Sequence, residues 1–514
     1  MNARSMVGTI RRTALVGILS ALAACGGSSG GGPKSVAVPN VVGNTQSAAT
    51  TTITGAGLAV GTVTMQSSST VASGSVISEN PAAGTSVTDG SAVSLVVSSG
   101  PPTQTVGGIV IGLTNGATVK VVNGADNVPL AANGSFTFPT AVATGSTYSV
   151  SVGSPQPTGQ TCAVQNPSGT ISTTNVTNVV VYCTFNVSAA TLNGTYEFGG
   201  YNISASTDAL FTASFDGAGS FSASYILNIN KTISSGTLAA APYTVAANSV
   251  QVPVLTTSGD NIGGILGANG NVFVWLANNT GGEQPAMAVG VKPLQSATVA
   301  SFTGTWSAIS LTSSTSLYGS VGTTTVNSDG SIAGSQTDLS ATGVVTTEQL
   351  SAGPGTVAVG SDGQITTGTG GGSGYLSVDG DLLFLTYVTG TDNDPGLSAL
   401  VKQSSGLTAA ALNGVYTVVA LGGTTASMTS GQVFTLYAHG DGKYTVTYTS
   451  NDAGVITTGQ DAGTYTVTAG TGALTVVGSD GDSHSGQLSA DGNVLILGNL
   501  TAGQAPKMFV GVRQ

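Results

Sequence analysis

FTASFDGAGSFSASY, residues 211–225, and FTLYAHGDGKYTVTY, residues 434–448, share one pattern. Apolar and polar residues alternate on both sides of an Asp-Gly pair, and that is the strongest short-range signal for a β-hairpin. The two stretches belong to a longer recurrence. Gly194-Thr195-Tyr196, Gly304-Thr305-Trp306 and Gly414-Val415-Tyr416 lie 110 residues apart, preceded by Leu192, Phe302 and Leu412. Asn269-Gly270, Asp379-Gly380 and Asp491-Gly492 return at nearly the same period, as do Pro285, Pro395 and Pro506. Each unit closes on an apolar strand ending in Lys292, Lys402 or Arg513. Fixed-period self-similarity predicts three homologous β-repeats, at 190–293, 300–403 and 410–514. About eight strands per unit, joined by short turns, fit an antiparallel meander closing into a small lipocalin-like barrel, because closure removes exposed edges. The alternative is a propeller with two blades per repeat.

Composition agrees with a mainly β, multidomain chain. Charged residues make up 6% of the 514, while Gly numbers 76 and hydrophobic residues 40%, dominated by Ala and Val. The length provides for several separate cores. A formal charge of -11 argues against a nucleic-acid partner, since phosphate binding needs clustered Lys and Arg.

The amino-terminal stretch reads as an export signal. Arg4, Arg11 and Arg12 precede the short apolar run TALVGILSALAA, which ends at small residues. Leu22-Ala23-Ala24-Cys25 resembles a bacterial lipobox. That resemblance implies cleavage between Ala24 and Cys25 of a signal peptide spanning 1–24, followed by lipidation of the Cys25 thiol. Gly26 after the cysteine favours, by the same resemblance, the outer membrane, facing the periplasm or the cell surface. The alternative is an ordinary signal peptide with a chance cysteine. The Gly/Ser run that follows makes 25–35 a flexible tether.

Residues 36–101 form the next unit. VPNVVG enters a turn, TQSAATTTITGAG carries small and apolar residues at near-helical spacing, and AVGTVTM, SVISENP and AVSLVVS supply strands. Val38-Pro39-Asn40-Val41-Val42-Gly43, Ala56-Gly57-Leu58, Pro81-Ala82-Ala83-Gly84-Thr85 and Gly90-Ser91 resemble the PASTA domain from end to end. The resemblance implies a βαββ fold at the cell envelope and, in some members, binding of peptidoglycan fragments. The helix departs from the family in carrying Thr and Ser where Lys and Glu are usual.

Residues 106–185 hold six short strands between Gly, Asn and Pro turns and predict an immunoglobulin-like sandwich. With Cys25 assigned to lipid, Cys162 and Cys183 remain as a pair on neighbouring strands, expected as a disulfide in an exported protein; buried thiols are the alternative.

Catalysis finds little support in the sequence. Ser483-His484-Ser485 beside Asp480 and Asp482 contains the ingredients of a triad, but crowding at a turn is not triad geometry, and a solvated turn is the expectation. His439 likewise sits by an Asp-Gly turn. Asp392, Asp394, Asp480 and Asp482 are weak candidates for Ca²⁺, lacking a twelve-residue loop with its closing Glu. No metal, cofactor or catalytic residue is predicted. Tyr196, Trp306 and Tyr416 recur at equivalent positions, as core residues do; a sugar-stacking platform is the alternative.

These readings predict a lipid-anchored envelope protein that binds or spaces and does not catalyse, its β-repeats projecting outward. Its expected partners are the membrane, through the lipid, and peptidoglycan, through the PASTA-like unit. Two alternatives remain open: a surface adhesin or matrix protein whose repeats bind glycans or host protein, and a carrier of a small apolar ligand inside the barrels.

Overall fold

A computed structural model describes residues 34–202, 207–229, 232–246, 249–252, 262–277, 286–313, 317–340, 344–368, 371–387, 395–423, 430–452, 455–499 and 504–514. The signal segment, Cys25 and most of the tether, together with Asp392 and Asp394, lie outside the described residues. The chain is mainly β and divides into two compact units, Met1–Pro102 and Thr103–Gln514.

In the first unit the helix Gln46–Gly55 starts where Thr45 caps it, the Thr45 side chain accepting from the Ala48 N–H at 3.3 Å. Four threonines would weaken a helix through their branched Cβ atoms. Here Thr50, Thr51, Thr52 and Thr54 turn their hydroxyls back onto the carbonyls of Gln46, Ser47, Ala48 and Thr50, at 2.9–3.1 Å. Ala49 and Ile53 point down into a core with Val76, Val93, Leu95 and Val97. Beneath the helix a three-stranded sheet sets Ala92–Ser98 between Ala59–Gln66, which is parallel to it, and Val76–Asn80, which is antiparallel.

The second unit opens with a two-sheet sandwich. One sheet orders Gly134–Thr137, Val106–Ile111, Val176–Phe185 and Gln160–Gln165; the other orders Ser168–Thr170, Thr147–Val152, Val119–Asn123 and Asp126–Leu130. Alternate residues of both face one core around Val110, Val121, Phe136, Phe138 and Val181.

Three rings of strands follow. The third is a closed eight-stranded antiparallel barrel running from Asn413–Gly422 to Lys507–Arg513, the last strand pairing with the first. Its long strand Val455–Val467 bends, pairing with Lys443–Asp452 over its first part and with Ala473–Gly478 over its last residues. The first two rings are nine-stranded sheets, each with one strand position interrupted. Thr232–Pro242 and Thr244–Ala246, the two edges of the first sheet, are separated by Tyr243 alone. In the second, Val345–Ala352 and Val357–Val359 flank a short break. Each of these two sheets thus follows the chain through eight strand positions, and the closed barrel is the third.

The rings do not project separately. Residues on their outer faces form one shared core, to which the first ring gives Tyr201 and Val289, the second Ile309 and Phe384, and the third Val419 and Val510. Strands such as Val494–Gly498 and Leu382–Thr386 are buried along their whole length because one face fills a ring and the other packs between rings. Each ring keeps a core of its own as well, around Phe198, Trp306 and Tyr416.

Candidate functional site

Two regions bear on function. In the first unit, Val41 N–H donates to Glu79 Oε2 at 3.0 Å, and the Asn40 side chain accepts from Val42 N–H at 3.1 Å. The loop at 38–43 is thereby held firmly, while Val42 stays 49% exposed. Glu79 Oε1 is buried without a hydrogen-bond partner among the described residues. Residues 34–102 contain three charged side chains, Lys34, Glu79 and Asp89. Val63 and Met65 are exposed along with Val42, among neutral hydroxyl and amide side chains.

The second region is the interior of the third barrel, where a cavity of about 200 Å³ opens. Its floor is aliphatic, with Leu412, Val418, Leu474, Val476 and Leu495, and its sides carry Phe434, Tyr444, Tyr448 and Phe509. At the mouth stand Asp461, Asp480, Asp482, His484, Gln504 and Lys507. Asp461 pairs across strands with Val446, an inward residue, and so reaches the barrel interior from Val455–Val467. Asp482 Oδ1 accepts from Gln504 Nε2 at 2.9 Å. His484 is not on a solvated turn, as the sequence suggests; it lies in the strand Ser483–Leu488, opposite Val476, with its ring centroid 4.8 Å from that of Phe509. Its Nδ1 is buried with no partner among the described residues. Burial, and then Lys507, hold the imidazole below its ordinary pKa against the opposing pull of Asp482 and Asp480, which favours the neutral ring at pH 7.

The strand also explains why Ser483-His484-Ser485 is no triad: successive residues point to opposite faces, so both serines face away from the imidazole. His439 ends the strand Ser430–His439, half-buried, with burial lowering its pKa and its Nε2 unpartnered among the described residues. Asp480 Oδ1 accepts from the Asp482 N–H at 3.0 Å within their turn, and among the described residues no group of three His, Cys, Asp or Glu is placed to hold a metal ion. Cys162 and Cys183 stand directly opposite one another on adjacent strands, Cα atoms 4.0 Å apart, and form a disulfide.

Tyr196, Trp306 and Tyr416 are buried core residues. Tyr196 and Tyr416 each donate, at 2.5 Å, to the carbonyl of the turn glycine that recurs with them, Gly270 and Gly492. The Trp306 indole N–H donates to the Phe302 carbonyl at 2.8 Å, and Lys292 and Lys402 lie over the Tyr196 and Trp306 rings at 5.5 and 5.6 Å. Asp461, Tyr448, Gln504 and Lys507 were not singled out by the sequence. Asp461 carried a signal all the same, since it shares the inward parity of Tyr465 in VITTGQDAGTYTV.

Residues 36–99 match the PASTA domain model. Over 68 residues the chain is 47% identical to a protein of Lactococcus lactis subsp. lactis described as a probable serine/threonine-protein kinase, PknB; the match covers 13% of this chain and 11% of that protein's length. The extracellular region of the Ser/Thr kinase PrkC from Staphylococcus aureus is 25% identical, with 24% of this chain and 48% of that chain covered and a TM-score of 0.13. Transferrin binding protein B from serogroup B Neisseria meningitidis is 10% identical, with 62% and 75% covered and a TM-score of 0.21. The PASTA segment is a non-catalytic binding module, and among the described residues no helix is long and apolar enough to cross a membrane.

Proposed function

We propose that this chain is an envelope protein, held to a membrane by a lipid on Cys25, that contacts peptidoglycan through its PASTA segment and performs no catalysis. The observation that carries the reading is the family match across residues 36–99, the whole length of the module. The charged leader and the Leu22-Ala23-Ala24-Cys25 stretch support the anchor, and the Gly/Ser run after it supplies reach. Beyond the PASTA segment the chain is read as a sandwich at 106–185 and three homologous modules at 190–293, 300–403 and 410–514. The outward turn of Ser483 and Ser485 from His484 supports binding over catalysis.

The test is sedimentation with purified sacculi. Residues 34–102 have their own core, so the fragment is a fair probe beside the full chain. Both should pellet with sacculi, and the full chain lacking residues 36–101 should not. Because the fragment carries so few charges, pelleting should persist when salt is raised from about 0.1 M to 1 M, where the Debye length falls from about 10 Å to 3 Å. Fragment and full chain that both stay in the supernatant while a known binder pellets would remove the peptidoglycan role.

A further inference from the structure

The third barrel holds a cavity of about 200 Å³, and the places of several of its lining residues carry aromatic rings in the first ring. Strand pairing makes their interior positions comparable. Val418 stands opposite Gly511 as Phe198 stands opposite Gly290, and Leu495 stands opposite Gly511 as Phe273 stands opposite Gly290. Leu497, paired with Phe509, occupies the place of Trp275, paired with Ala288. In the first ring Phe198 stacks on Phe211 with centroids 4.6 Å apart, and Trp275 meets both rings edge-on. Substituting Val and two Leu for Phe198, Phe273 and Trp275 removes three aromatic rings from the interior. Phe509 for Ala288, and Leu436 and Val446 for Ala213 and Ala223, place bulk at other points of the wall, and the cavity of about 200 Å³ lies among these residues.

We propose that the third barrel binds a small protonated amine whose body is a single aromatic ring or a branched aliphatic group of that size. An apolar cavity of about 150 Å³ already takes benzene, and drug-sized ligands need about 300 Å³ or more, so the space sets the body to one ring and a short tail. The aliphatic floor and the faces of Phe434, Tyr444, Tyr448 and Phe509 receive that body. The mouth selects the charge of the tail. Asp461, Asp480, Asp482 and Lys507 all line the cavity, three carboxylates to one ammonium, and the aromatic faces attract a cation further. His484 Nδ1, buried and unpartnered among the described residues, can accept from an N–H when the imidazole is neutral. A ligand of the same shape bearing a carboxylate would meet the three aspartates and be refused.

The experiment is calorimetric titration of the purified full-length chain with 2-phenylethylamine, phenylacetate and ethylbenzene. Saturable binding of the amine is expected, with phenylacetate at least tenfold weaker. Asp461→Asn should weaken amine binding about fivefold and leave ethylbenzene unaffected. Leu497→Trp, which installs the residue found at that place in the first ring, should abolish binding of both while the melting temperature is retained. The proposal is overturned by no saturable amine binding up to 10 mM, by phenylacetate binding as well as the amine, or by Asp461→Asn leaving amine affinity unchanged; this last arm does not depend on the folding of the tryptophan variant.

Discussion

Single hydroxyl groups fix the ends of these rings. Tyr465 is buried, and its hydroxyl donates to the carbonyls of Leu412, at 2.7 Å, and Ala409, at 3.0 Å, while accepting from Gly440 N–H at 2.9 Å. One side chain thus ties the strand Val455–Val467 to the segment that leads into the first barrel strand and to the Asp-Gly hairpin turn. Tyr243 does the same in the first ring, donating to Leu192 and Ala189 at 3.0 and 3.2 Å from the single residue that interrupts its strand position. Burial raises the Tyr465 pKa to about 12, so the phenol stays a donor throughout the physiological range. Tyr465→Phe keeps the ring and removes the hydroxyl, leaving buried carbonyls and an amide without that partner. Each such loss costs about 1–3 kcal/mol. Denaturant unfolding of the full chain should show a loss of that size for Tyr465→Phe, with no change at the partly exposed Tyr225→Phe. Equal stability of the two variants would mean that the hydroxyl ties nothing.

At the scale of strands, alternation told the inside of each ring from its outside, and Asp-Gly pairs marked the turns. FTLYAHGDGKYTVTY is a hairpin with Leu436 and Ala438 facing in, as its period predicts. The PASTA helix was legible too, from small and apolar residues at near-helical spacing, while its Thr45 cap emerged only in the structure. What alternation could not convey is that the outer faces are also buried. VLILG at 494–498 and LLFLT at 382–386 are continuous apolar runs, and a run has no period to say which partner covers which side. The mouth of the third barrel was hidden for a related reason: Asp461, His484 and Lys507 come from three strands, and only closure brings them together. Gly199 and Gly200 test the two-faced burial directly. A Cβ on Gly199 would lie 2.5 Å from Phe384 Cδ2 and 2.6 Å from Thr386 Cγ2, across the seam between the first two rings. On Gly200, which faces the ring interior, the nearest atom would be Ala288 Cβ at 3.5 Å, an ordinary contact. Gly199→Ala should therefore destabilise by about 1–3 kcal/mol through overpacking. Gly200→Ala should be neutral or slightly stabilising, since it only removes freedom from the unfolded chain. Thermal unfolding of both variants decides it, and equal melting temperatures would contradict a packed seam.

Across the whole second unit, the rings meet over buried carboxylates as well as apolar side chains. Asp208 of the first ring accepts at 2.9 Å from the Tyr387 N–H of the second. Glu197 of the first lies near Asp362 of the second, and Asp381 of the second near its neighbour Asp379 and Asp491 of the third. Burial is the main cause in every case, and it pushes Asp208 up to about 6 and Glu197 and Asp381 up to about 7; the nearby aspartates push the last two further. A folded-state pKa above the unfolded value means that the native protein holds protons the unfolded chain has released. The contribution is then fully present below about pH 4, shrinks as pH climbs through the folded values, and is gone above about pH 7. The docked rings should accordingly melt at higher temperature at pH 5 than at pH 8. Asp381 offers the sharpest version of this test, because Asn271 and Asn493 occupy its place in the other two rings, and Asn271 Nδ2 donates to Asp379 Oδ1 at 2.9 Å. Asp381→Asn keeps the shape, removes the titrating group and sets an amide beside two aspartates. It should stabilise the chain by roughly 2 kcal/mol at pH 8, the worth of between one and two pKa units once solvent relaxation is allowed for, and by much less at pH 4. Melting curves of both proteins across that range should converge toward acid and separate toward base. Parallel curves would show that the Asp381 carboxylate is not protonated at the seam and that the pH dependence arises elsewhere.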